Sequence, residues 1–165
     1  MSSKSQYEIE ILKKFLCVCP YDINKTTIQK LEIENKPDIY CELSNGDKCY
    51  FELTECVCET IAKQTGDTLK ALRANKVLTN GHNAIAFKED ALFNKSMEKF
   101  EKNYQADGPI ELVSYFNQQA EPLGDVLSRY DYFVKERIEK SPFRRVWVYD
   151  VFHNKILYRF PEYEN

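Results

Sequence analysis

A chain of 165 residues, 43% of them hydrophobic, is long enough to bury a real core and fits a single domain over 1–165. Its formal net charge of −3 gives no general electrostatic pull towards nucleic acid, so any such binding needs a local basic patch. No apolar run is long enough to span a bilayer and the start MSSKSQYEIEILKK is too charged for a signal peptide, so we expect a cytoplasmic protein with no membrane partner and reduced thiols.

In chain order, residues 5–17 predict an amphipathic helix with Ile11, Leu12, Phe15 and Leu16 inward and Lys13 and Lys14 outward, closed by Pro20. Glu8 lies near the inward stripe. It suits either a buried site or simply the N-terminal end of the helix macrodipole. Residues 26–33 (TTIQKLEI) predict a first strand, and 36–55 a hairpin. Residues 59–78 predict helix interrupted at Gly66-Asp67, with Lys63, Lys70 and Arg73 on one side. Asn80-Gly81-His82 reads as a turn and Ala84–Phe87 as a short strand. Residues 89–105 read as a helix with Phe93, Met97, Phe100 and Tyr104 inside and Lys95, Lys99 and Lys102 outside. A strand at 110–116, a helix at 123–138 and strands at 145–152 and 155–160 complete the chain. Trp147 is expected in the core, while Arg144 and Arg145 suit either phosphate contact or solvent. The order predicts an α/β fold, a three-layer sandwich around a mixed β-sheet.

The hairpin carries the chemistry. Asn45-Gly46 between apolar-rich runs is a strong turn signal. A two-residue loop would pair Glu42 with Cys49 and put Asp38 and Glu52 on opposite faces. A three-residue loop with Gly46 left-handed pairs Glu42 with Lys48, Tyr40 with Tyr50 and Asp38 with Glu52. The second register separates polar from apolar better and gains an opposite-charge pair, so it is preferred. It leaves two carboxylates side by side with no evident cation between them, a natural seat for a divalent metal ion.

Pro37-Asp38, the hairpin, then Glu52-Leu53-Thr54 resembles the motif of the PD-(D/E)xK nuclease superfamily, with Thr54 where the family has Lys. The resemblance implies a restriction-endonuclease-like fold with a helical insertion about 80–108. It implies a nuclease that hydrolyses phosphodiester bonds in nucleic acid with Mg2+ or Mn2+. The metal would lie on Asp38, Glu52 and the Leu53 carbonyl, with Glu8 as a further helix-borne ligand. Asp38, Glu52 and Thr54 would form the catalytic set, and Lys63 or Lys70, on the helix after the second acidic strand, would stand in for the missing lysine. Gln64 is a weaker polar candidate. The oligomeric state is left open, a homodimer included.

Two alternatives stand beside this reading. One is a catalytically inactive member of the same fold that binds nucleic acid or protein. The other is a zinc protein using the Cys-Val-Cys pairs Cys17/Cys19 and Cys56/Cys58, although their spacing is not the usual Cys-x2-4-Cys. Cys41 and Cys49 are expected to face each other across the hairpin.

Overall fold

The computed structural model describes residues 2–57, 83–117 and 124–162. The described chain begins with helix α1 (Ser3–Val18), then strands β1 (Ile23–Lys30), β2 (Ile39–Leu43) and β3 (Lys48–Glu55). Helix α2 (Asn83–Phe100), strand β4 (Ile110–Phe116), helix α3 (Gly124–Arg137), a 3-10 turn (Ile138–Lys140) and strands β5 (Phe143–Asp150) and β6 (Lys155–Phe160) follow.

The six strands form one mixed sheet in sequential order. β1, β2 and β3 run as an antiparallel meander, β3, β4 and β5 are parallel, and β6 returns antiparallel on β5. Parallel neighbours require crossover connections, and α2 and α3 lie in the two crossovers. Helices on both faces explain why the central strands β3 and β4 are buried along their length. On one face Ile11, Leu12, Phe15 and Leu16 of α1 pack on Ile39, Phe51, Val113, Trp147 and Tyr149. On the other, Leu92 and Phe100 of α2 and Val126, Tyr130 and Val134 of α3 pack on Leu112, Val146 and Val148. The expected three layers around a mixed sheet are therefore present among the described residues. The segment expected as a helical insertion contributes Ala91, Leu92 and Phe100 to the second core.

The hairpin adopts the three-residue register. Ile39 faces Phe51, Tyr40 faces Tyr50, Cys41 faces Cys49 and Glu42 faces Lys48. Gly46 has φ +88°, and the Gly46 and Leu43 amides donate to the Leu43 and Asp47 carbonyls at 2.9 Å each. The polar and apolar faces that favoured this register are the two faces of the sheet.

Several boundaries differ from expectation. Ala84–Phe87 is helical, lying within α2, because the run belongs to an 18-residue helix and not to a free segment between turns. α2 stops at Phe100, before 105; beyond it, the Gln105 amide bonds the Asn35 carbonyl at 2.6 Å. β1 spans 23–30, not 26–33, and Leu31 instead donates its amide to the Asp38 carbonyl at 2.8 Å. β5 ends at Asp150, because the Asp150 side chain accepts the His153 amide at 3.1 Å and turns the chain. The strand at 110–116 and the strand at 155–160 fall as expected. The expected helix at 59–78 and the turn at 80–82 lie outside the described residues. Among the described residues no helix is long and apolar enough to cross a membrane.

Candidate functional site

Asp38 and Glu52 meet where β2 begins and β3 is two-thirds along. Glu52 points to the α2 face and is buried, with 1% of its surface exposed. Its Oε2 accepts the Asp38 amide at 3.1 Å, and Asp38 Oδ2 in turn accepts the Leu53 amide at 2.8 Å. These two crossed hydrogen bonds hold the two carboxylates in fixed positions. Burial, with the neighbouring Asp38 charge, raises the Glu52 pKa above its ordinary value, and Lys99 works against that rise.

The structure supplies a cation to each carboxylate, although neither of the two ammoniums contacts both Asp38 and Glu52. Lys30, the last residue of β1, reaches Asp38 Oδ1 at 3.0 Å and Glu8 Oε2 at 2.6 Å. Burial lowers the Lys30 pKa, but the hydrogen bonds and charges of Glu8 and Asp38 outweigh it, and the net shift is upward. Lys99 of α2, expected on the solvent side, instead reaches Glu52 Oε1 at 2.5 Å. Lys99 follows Leu92 and Ser96 at helical spacing of four and three, and both are fully buried, but the polar Ser96 breaks the apolar stripe that would have marked this face in the sequence. Lys30 carried no signal either, because the parity of residues 26–33 is broken.

Glu8 joins the cluster through Lys30, while Thr54 is buried on the Glu52 face beside Ser114. Leu53 contributes its backbone, pairing with Val113 in the parallel ladder. Lys63, Lys70 and Gln64 lie outside the described residues. Tyr104, beyond the end of α2, was missed as a site residue. Its hydroxyl is buried near Glu52 but outside hydrogen-bond geometry, and burial with the Glu52 charge raises its pKa.

A cleft of about 330 Å3 opens here, at the carboxyl ends of β3 and β4. Glu8, Asp38, Thr54, Glu55, Lys99 and Tyr115 are among the side chains that line it. Crevices at the carboxyl ends of parallel strands are where ligands of open α/β sheets bind. Glu55 alternates with Thr54 along β3, and both line the cleft.

The donor chemistry suits a hard divalent cation. Each carboxylate oxygen of Asp38 and Glu52 accepts one hydrogen bond here and keeps a second lone pair, and the orphaned Tyr104 hydroxyl lies beside them. No group of three His, Cys, Asp or Glu side chains among the described residues converges as a ready-made metal site.

The remaining candidates serve the scaffold. Arg144 pairs with the buried Glu111 at 2.6 Å, on the α1 face of the sheet, and Trp147 Nε1 and the Tyr21 hydroxyl donate to the same carboxylate at 2.7 and 2.5 Å. Arg145 lies over the Tyr21 and Trp147 rings. Cys17 is exposed, whereas Cys19, Cys41, Cys49 and Cys56 are buried as free thiols, and Cys58 lies outside the described residues. His153 holds the buried Asp150 at 2.6 Å across the β5–β6 turn. Comparison with protein-family models, curated proteins and solved structures finds no match to this chain.

Proposed function

We propose that the chain is a nuclease-like protein of restriction-endonuclease-like fold. In this reading it hydrolyses phosphodiester bonds in nucleic acid with one or two Mg2+ or Mn2+ ions held by Asp38 and Glu52. The helix, antiparallel meander, crossover and parallel strand, in that order, support the fold. The observation that carries the function is the Lys99 ammonium on the Glu52 carboxylate beside Asp38. It offers, from α2, the positive charge that Thr54 does not.

A bound divalent ion supplies Lewis-acid polarisation of a phosphoryl oxygen and a lower pKa for water. Lys99 stabilises negative charge that develops on the phosphoryl group, as a preorganised donor in a cleft. The crossed amide contacts of Asp38 and Leu53 fix the carboxylates, and the Thr54 hydroxyl is available to orient a water. Lys63 and Lys70 stay candidates for the same role as Lys99.

The test is incubation of supercoiled DNA, single-stranded DNA and RNA with the protein and Mn2+. Metal-dependent cleavage that is lost in Asp38→Ala and Glu52→Ala supports the reading. Intact substrates throughout count against it.

A second reading is a catalytically inactive module of the same fold that binds nucleic acid or another protein. The Lys30 contacts favour it, because they neutralise Asp38 and Glu8 without any metal. A gel shift without cleavage, weakened by Lys63→Ala and Lys70→Ala, would fit a nucleic-acid-binding module.

A further inference from the structure

We infer that Lys30 is a resident counter-ion of the acidic site, and that its ammonium competes directly with a divalent cation for Asp38. The inference rests on the metal-site reading above and goes beyond it to what sets the metal affinity.

Three carboxylates, Glu8, Asp38 and Glu52, run from α1 across the sheet end to α2. Two ammoniums answer them: Lys30 sits between Glu8 and Asp38, and Lys99 sits on Glu52. Asp38 divides its oxygens. Oδ2 is committed to the Leu53 backbone amide, which belongs to the rigid centre of the sheet, while Oδ1 is committed only to the Lys30 side chain. Oδ1 is thus the oxygen that a cation can take with least rearrangement. Lys30 is also the group best placed to yield. It is the final residue of β1, and β1 is an edge strand of the sheet. Its exit leaves Asp38 Oδ1 and Glu8 Oε2, both now on one ammonium, open to one doubly charged ion. A dication replacing a single ammonium would also lessen the repulsion between Asp38 and Glu52.

Two consequences follow. The folded protein does not depend on metal to neutralise its acidic cluster, and its metal affinity is held below what the carboxylates alone would give. Removing the ammonium while keeping the stem as a polar side chain should release that affinity.

The experiment is calorimetric titration of Mn2+ into wild type, Lys30→Gln and the double variant Lys30→Gln/Asp38→Asn. The expected result is at least tenfold tighter Mn2+ binding by Lys30→Gln than by wild type, abolished in the double variant. Equal Mn2+ affinity in wild type and Lys30→Gln overturns the counter-ion role and leaves the metal site standing. Absence of saturable binding in both overturns the role together with the metal-site reading. A second measurement reads the wild-type protein directly and does not depend on the folding of Lys30→Gln. In 15N-labelled wild type the Lys30 ammonium, immobilised by two carboxylates, should give its own NMR signal, assigned by its loss in Lys30→Arg. Titration with diamagnetic Mg2+ should shift or erase that signal. A Lys30 signal that stays unchanged while Mg2+ binds overturns the inference.

Discussion

Asp38 and Glu52 are locked to one another across the hairpin: the Asp38 amide donates to Glu52 Oε2 at 3.1 Å, and Asp38 Oδ2 accepts the amide of Leu53, the residue after Glu52, at 2.8 Å. A pair of like charges held this way needs neutralisation from outside the hairpin. Lys30 comes from the edge strand and Lys99 from the crossover helix.

Lys99 is the residue on which catalysis should depend most after the carboxylates. Lys99→Ala should lower the metal-dependent cleavage rate about 10²-fold, the usual effect of deleting one preorganised donor. Introducing Thr54→Lys into that variant should restore part of the rate, since Thr54 lies on the Glu52 face of β3. Cleavage rates on plasmid DNA at saturating Mn2+ check both. An unchanged rate in Lys99→Ala would move the role to Lys63 or Lys70.

Glu52 should make stability depend on pH when metal is withheld. Its folded pKa lies above the ordinary 4.5 because of burial and of Asp38. The unfolded chain therefore ionises first as pH rises, and stability falls between the ordinary value and the raised one, then levels off. Urea melts in a chelator from pH 4 upward should show this fall in wild type and not in Glu52→Gln. Parallel profiles for the two proteins would contradict it.

The hairpin was legible in the sequence because two independent constraints agreed. Asn45-Gly46 allowed two loops, and the facing of Glu42 on Lys48 with Tyr40 on Tyr50 selected one. The strand at 110–116 and the core role of Trp147 were likewise legible, since burial on both faces leaves a mostly apolar run, in which only Glu111 and Ser114 interrupt residues 110–116. What stayed hidden was the source of the positive charge. Lys99 looks like any solvated helix lysine until Leu92 and Ser96 are known to be buried. Lys30 finds Glu8 and Asp38 only through the register of β1 on β2, which is irregular between Asn24 and Gln29. Long-range pairings of this kind carry no local pattern. Arg144 was equally ambiguous, and its partner Glu111 sits 33 residues earlier in the chain.

The Glu111 cluster should behave as scaffold. Glu111→Ala leaves Arg144, Trp147 Nε1 and the Tyr21 hydroxyl without a fully buried acceptor, so a loss of about 3 kcal/mol is expected, as for breaking other buried charge pairs. Chemical denaturation measures it. Mn2+ affinity of the folded variant should stay within about twofold of wild type, because Glu111 shares no partner with Glu52 and faces the α1 side of the sheet while Glu52 faces α2.

Thiol reactivity should follow burial. Burial pushes the Cys19 pKa up to about 12, and it raises Cys56 as well; Cys49 is raised by its contact with Cys41 and by burial. In the native protein Cys17 should be alkylated quickly, and Cys19, Cys41, Cys49 and Cys56 only on unfolding. Peptide mapping after iodoacetamide treatment reads this directly. Fast native labelling of Cys41 or Cys49 would contradict the packing of the hairpin against α1.

The central claim is that Asp38 and Glu52 hold a divalent ion, and thermal melts of wild type and Asp38→Asn with and without Mn2+ test it most directly. An ion bound only to the folded state raises the midpoint as its concentration rises. The account predicts a concentration-dependent rise for wild type and none for Asp38→Asn. A wild-type midpoint that does not move over a wide range of Mn2+ would contradict it and leave the hairpin as scaffold.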